Sequence, residues 1–307
     1  RIVLKPNATG VYAKRVEDVW GVGTDPSFYE GVITGLQELG VKKLTMVDST
    51  PYDTWVIRGM IDVNARLGVE WNESRNRERH LRDEFNINWH DVPDGVVFKR
   101  IPHYAPVGEP DTWLLNIAKW KSHSMVLTQT IKNEQGLVAH PFTAFCGGWR
   151  SLQGEVMKTG VNPRVEHLVN GFLDEHRKTF SRYRSKGNKQ LRASIDPVVQ
   201  EIWAQKTCDN QSTLKTGFSM IEAITGRDGD GFGVGQDYLT NMVIFGQDKW
   251  RLDLVGLYLG GHEPGNVHVY RIAKERGLSD TFNPWEVELY EWVDGAPVRR
   301  TLTDFQR

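Results

Sequence analysis

The densest set of chemically able side chains in this 307-residue chain is Lys119-x-Lys121-x-His123. Thr128, Thr130, Lys132-Asn133 and Gly136 follow it, with His140 further on. Two lysine ammoniums directly after an apolar run would hold a carboxylate or a phosphate. His123 would move a proton near neutral pH or bind a divalent metal. Lys132-Asn133-x-x-Gly136 reads as a polar turn whose backbone and side-chain amides would complete an anion site. The same spacing also fits lysines on a helix surface beside one hydrogen-bonded histidine. A second set, Lys5-Pro6-Asn7, directly follows the apolar Ile2-Val3-Leu4, so Lys5 and Asn7 would reach a cleft at a strand end. Turn chemistry explains Pro6 and Asn7 equally well. Asp48, Glu222 and Asp253 are the acids that would complete a proton relay or, with His123, an oxygen-rich metal site.

Weaker patterns surround these. Arg227-Asp-Gly-Asp230-Gly-Phe-Gly233-Val-Gly235 is glycine-rich, but no Gly-Lys-Ser/Thr follows and no dinucleotide fingerprint of the right spacing is present. Phe232 stands where a calcium loop needs an oxygen ligand. Gly246-Gln-Asp248 places Asp248 at a helix start, where capping explains it. His262 and His268 are spaced six apart, which is not a helical metal spacing. Cys146 and Cys208 are too few for a disulfide framework, and one bridge between them is left open.

The elements that must position these residues are legible from apolar periodicity. Ile2 to Leu4 reads as a buried strand. Asp25-Pro26 starts a helix whose stripe is Val32, Ile33, Leu36 and Leu39, with Gly40 ending it. Leu44 to Val47 is the next strand. A strand–helix–strand unit implies a parallel sheet, and its right-handed crossover puts Lys5 to Asn7 and Asp48 to Thr50 on one edge. That carboxyl edge is where open α/β sheets bind ligands. Residues 54–67 read as a helix and Trp113 to Ala118 as a strand. Further strands are expected over 216–223 and 241–245, and helices from Asp196-Pro197, over 248–259 and over 264–276. Residues 1–150 then form an α/β half carrying a polar, weakly periodic insertion at 71–112, expected to be helical or irregular. Residues 151–194 form a basic helical connection, and 195–307 a second α/β portion on the same sheet or in a second lobe.

Composition narrows the function classes. Thirty-eight basic and thirty-nine acidic side chains give a formal net charge of −1, which argues against general nucleic-acid binding. The basic stretch from Arg177 to Arg192 is either a solvated helix face or a docking patch for an anionic partner. No apolar run approaches the ~20 residues of a membrane helix. Eleven tryptophans serve core and interface packing first, and a ligand cleft second. The chain opens on Arg1 and enters a strand at once, which fits a removed leader: the exported or periplasmic compartment and the cytoplasm both stay open.

In this order the motifs resemble the bacterial and archaeal family of domain of unknown function 362. The matching stretches are Leu4-Lys5-Pro6-Asn7, Val47-Asp48-Ser49-Thr50, Lys119-x-Lys121-x-His123 and Thr130-Ile131-Lys132-Asn133-x-x-Gly136. The late block Ile221-Glu222-Ala223-Ile224-x-Gly226, then Phe245-Gly246-x-Asp248 and Asp253, also matches. The resemblance implies an α/β fold with Rossmann-like parallel sheets and helices on both faces. Some relatives carry a ferredoxin-like cysteine-rich segment, which this chain lacks, and many are exported behind a twin-arginine leader. The usual Asp-Gly that opens the late block reads Ser219-Met220 here, which leaves Glu222 as its acid.

The expectation is an enzyme acting at the carboxyl edge on a small anionic substrate. Lys5, Lys119 and Lys132 would bind the substrate, with Asn7 and Asn133 orienting it. His123, Lys121 and Asp48 would be catalytic, and His123, Glu222 and Asp253 would be the metal set. The cofactor is open, with a divalent metal as a candidate. A non-catalytic carrier of an anion or metallocofactor is the second reading, and a docking partner in electron transfer the third. A homo-oligomer fits any of them.

Overall fold

The computed structural model describes residues 1–9, 20–50, 52–72, 87–123, 126–139, 142, 159–165, 197–229 and 235–305. His140, Cys146, Asp230 to Gly233, the Arg177 to Arg192 stretch and the middle of the 71–112 insertion lie outside the described residues.

One sheet organises the chain. Its strands are β1 (Ile2–Pro6), β2 (Leu44–Met46), β3 (Glu70–Trp71), β6 (Trp113–His123), β7 (Val126–Thr128), β8 (Thr216–Gly229) and β9 (Gly235–Gly246). The order is β3-β2-β1-β6-β8-β9, with β7 paired to β6. β3, β2, β1, β6 and β8 run parallel. β7 and β9 run antiparallel, so the sheet is mixed but mostly parallel, in keeping with the expected α/β fold. The reason is local: only five residues separate β8 from β9, too few for the crossover that a parallel pair needs, so the two pair antiparallel. The chain adds β2 and β3 on one side of β1 and β6 on the other.

The helices that cover the sheet follow from their sequences. α1 (Pro26–Glu38) opens with Pro26 in its first turn, and the Asp25 carboxylate accepts from the amides of Ser27 and Phe28. Gly40 at φ +88° ends it. The expected helix at 54–67 is two, α2 (Tyr52–Ile57) and α3 (Met60–Leu67), because Gly59 takes φ +69° between them. Tyr29, Ile33, Trp55, Met60 and Val63 from these helices bury one face of the sheet, against Leu4, Met46, Leu115 and Ile117. α4 (Thr130–Asn133) is a single turn after β7. α5 (Pro197–Ser212), α6 (Lys249–Leu259) and α7 (His268–Glu275) complete the helices among the described residues. α6 packs Leu252, Val255 and Leu259 on Trp120, Ile221 and Ala223 of the opposite face. Its Trp250, Leu254 and Leu257 join a second cluster with α5 and α7, so α6 is buried on all sides rather than amphipathic.

Two further hairpins stand apart from the sheet. The 71–112 insertion, expected to be helical or irregular, carries β4 (Ile87–Asp91) and β5 (Arg100–Tyr104) as an antiparallel pair. Near the C-terminus, β10 (Leu289–Val293) and β11 (Ala296–Arg300) form another. No described helix is long and apolar enough to cross a membrane.

Candidate functional site at the carboxyl edge

Strand period places the chemistry. β6 does not stop at Ala118 but runs through the polar block to His123. Side chains alternate across a strand. Lys119, Lys121 and His123 therefore share the face of Leu115 and Ile117, while Trp120 enters the core on the other. All three polar residues are buried. Beside them, β1 ends on Lys5-Pro6 and β2 leads into Asp48, so one sheet edge collects the predicted residues.

Lys5 is at the centre. Its Nζ donates to Asp48 Oδ2 at 2.5 Å, to the Pro6 carbonyl at 2.7 Å and to Asn133 Oδ1 at 3.1 Å. Asn133 Oδ1 also accepts from Asn7 Nδ2 at 3.0 Å, and its Nδ2 donates to the Lys5 carbonyl and to Asn116 Oδ1. Asn133 thus ties the turn after β7 to both β1 and β6. Asn7 Oδ1 accepts from Lys121 Nζ at 2.9 Å, and Lys121 donates as well to the Val22 carbonyl. Asp48 is held in turn by the amide and hydroxyl of Thr50.

A second ion pair lies on β8. Lys119 Nζ meets Glu222 Oε2 at 2.5 Å, with both side chains fully buried. Glu222 also accepts from the amides of Asp25 and Ile224. Burial lowers the pKa of Lys5 and of Lys119, and the facing carboxylates of Asp48 and Glu222 oppose the shift. Both lysines are therefore neutralised from within the protein, which differs from the expectation that they hold a substrate anion.

His123 is a buried imidazole at the same edge. Burial, then the charges of Lys132 and Lys121, hold its imidazole well below its ordinary pKa. It is therefore neutral, with two cations acting on it. Lys132 is half-buried on α4 and also bears electrostatically on Lys5.

The predicted metal set is not assembled. Asp253 points from α6 to the start of α4, where it accepts from the amides of Thr130 and Ile131 and from the Tyr270 hydroxyl. Glu222 is committed to Lys119. Among the described residues, no three His, Cys, Asp or Glu side chains gather closely enough to hold a metal ion. Asp253 is an anchor for α4, and Asp248 caps α6 through the amides of Trp250 and Arg251. Burial pushes the thiol of Cys208 up to about 12, which leaves it unreactive. His268 lies on the surface beside Glu201.

Sequence reasoning missed the inner half of the network. Asn116 donates to Glu134 Oε1 at 3.0 Å, and Glu134 Oε2 accepts from Lys249 Nζ at 2.9 Å. The usable cue was Asn116 itself, a polar residue inside the apolar run Trp113 to Ala118. Arg58 was missed too; it is buried, its guanidinium lies against Gly23, and burial lowers its pKa to about 10. A cleft of about 690 Å³ lined by Trp89, His90, Asp94, Ser212 and Arg276 contains none of the predicted site residues.

Gly136 is the tightest point of the site. A Cβ there would stand 2.8 Å from Lys5 Cε and 3.2 Å from Asp48 Oδ2. Gly136→Ala is expected to push Lys5 off its ion pair and lower stability by about 1–3 kcal/mol. Thermal unfolding checks this, and an unchanged midpoint would show that Lys5 yields without cost.

A family model described as Domain of unknown function (DUF362) matches residues 2–258. No curated protein and no solved structure matches the chain.

Proposed function

The chain belongs to the family of domain of unknown function 362, and from the way it arms its sheet edge we propose that it is an enzyme for a small carboxylate or phosphate, with His123 as proton acceptor. The observation that carries this reading is the neutral, buried His123 under the charges of Lys121 and Lys132 at the carboxyl edge of β6. Ligands of open α/β sheets bind at that edge where strand order reverses, and here β1 and β6 flank the reversal. Lys5 and Lys119 face carboxylates, so the half-buried Lys132 is assigned the substrate anion, with the Asn7-held Lys121 adding its charge from behind. Lys5, Asp48, Asn7 and Asn133 hold Lys121 and the β1 end in place.

An anion beside His123 would raise its pKa back toward the ordinary ~6.5, so binding would take up a proton near neutral pH. Calorimetric titration with inorganic phosphate and with succinate, in buffers of different ionisation enthalpy, measures both. We expect at least one probe to bind below about 1 mM with net proton uptake. Lys132→Met should weaken it about tenfold, the loss of ~1.4 kcal/mol. His123→Asn should keep binding and lose the proton. No binding of either probe at about 10 mM would end this reading.

The second reading, an anion carrier, is favoured by one observation: two of the four predicted anion-binding or catalytic lysines are spent on internal ion pairs. A carrier would bind the same probes with no proton exchanged at His123.

A further inference from the structure

Thr128 is left over by the hydrogen-bond network of the sheet edge. It is fully buried, and its Oγ1 meets no hydrogen-bonding partner. Other threonines at this edge are committed. Thr24 donates to the Ile117 carbonyl, Thr50 to Asp48, and Thr130 to Asp253. Among the described residues only Ser219 has a buried hydroxyl in the same condition. Ser219 is the register partner of Asn116, on the opposite face of the sheet from Lys119 and Lys121.

Position separates the two hydroxyls. β7 runs back along β6 with Thr128 opposite Lys121. Opposite residues of an antiparallel pair point to the same face, so Thr128 stands on the face of Lys121 and His123. His123 is its diagonal neighbour, at the ~7–8 Å of such pairs. Two residues later the chain enters α4, which carries Lys132 and Asn133. Lys121 is 1% exposed, His123 5% and Thr128 0%, so the three share one enclosure. A ligand that reaches His123 has entered it.

A buried hydroxyl without a partner gives up its bonds to water and gains none in return. Valine has the same outline, favours strands as well, and carries no such cost. The internal network does not explain the hydroxyl: Lys121 is taken by Asn7 and the Val22 carbonyl, and Thr128 is left out. An anion does explain it. The anion would accept from the hydroxyl, and its charge makes that bond stronger than one between neutral groups. Lys132 and Lys121 both bear electrostatically on His123, so their field draws negative charge to this place.

We infer that Thr128 is a binding residue of the sheet-edge site, its hydroxyl donating to the substrate anion beside His123 and Lys132. This rests on the reading of that edge as a substrate site.

Calorimetric titration with inorganic phosphate and with succinate tests it on the wild type, Thr128→Val, Thr128→Ser and Ser219→Ala. The thermal midpoint of each is measured free of either probe. Thr128→Val should weaken the probe that the wild type binds about tenfold and leave the free midpoint equal or higher. Thr128→Ser should bind as the wild type does, and Ser219→Ala should not change the affinity. Equal affinity in the wild type and Thr128→Val would overturn the inference and leave the substrate site standing. A free midpoint lowered in Thr128→Val would overturn it too, because the hydroxyl would then have a partner within the fold, such as an internal water. A wild type that binds neither probe would sink the inference and the substrate site together.

Discussion

Replacing Lys119 by Met is expected to lower the unfolding free energy by ~3–5 kcal/mol, because it leaves Glu222 buried without its cation. Glu222→Gln alone should cost a similar amount, by stranding the ammonium. The double variant should recover much of the loss, since Met and Gln carry no charge, but Gln keeps an oxygen for only one of the Asp25 and Ile224 amides, which Glu222 accepts on two different oxygens. Urea unfolding of the four proteins gives the coupling directly. Additive losses would mean the pair is not the dry contact that its full burial describes. The size of the effect follows from position: β6 and β8 are neighbours in the sheet, and Lys119 is the register partner of Glu222.

The second large effect is acid sensitivity. Burial pushes the His103 imidazole down to about 3, with its Nε2 bonded to Asn210 Oδ1 at 2.8 Å. Burial also lowers His123 and His90. In the unfolded chain all three take up protons near pH ~6.5. Their contribution is therefore complete above that pH and falls as the pH drops toward the folded-state values. Asp253 acts in the opposite sense. Burial raises its carboxyl to about 7, so the folded chain binds one proton there that the unfolded chain takes only near pH ~4. His103 and His123, held far below their unfolded values, favour the unfolded chain by two protons, while Asp253 and the raised carboxyl of Asp209 favour the folded chain. Stability should then fall below pH ~6.5 by at most ~1.4 kcal/mol per pH unit. Urea midpoints at pH 7.5, 6.5 and 5.5 measure the slope, and a flat profile would show that these histidines are not held neutral by the fold.

Local chemistry made the first strand–helix–strand unit legible. Asp25-Pro26 and Gly40 delimit α1 as capping rules require. Asp248 caps α6 for the same reason. The end of β6 was harder, because a fully buried strand is normally apolar and Lys119 to His123 breaks that pattern. Its burial rests on Glu222, Asn7 and Val22, partners about a hundred residues away in sequence that no local window contains. The direction of β9 is likewise not written in its own residues. The β10–β11 hairpin is a different case. Asp294-Gly295 between alternating residues is a strong hairpin cue, and both residues take positive φ as a tight turn needs. The cue was present and went unread. Asp253 was read as a metal ligand because an acid with no capping duty on its own helix invites a function. Its duty is on another helix, α4, which sequence spacing does not reveal.

The family match ends at residue 258, one position short of the end of α6. The folding unit does not end there. Beyond it, α7 supplies Val269, Tyr270, Ile272 and Ala273 to the cluster that encloses Trp250 and Leu254. Tyr270 also supplies the hydroxyl that Asp253 accepts, and Asp253 fixes the turn bearing Lys132 and Asn133. The segment recognisable by descent is thus smaller than the segment that can stand alone. Inheritance and autonomy have different boundaries in this molecule, and whatever the sheet edge does depends on a buttress that the shared pattern leaves out.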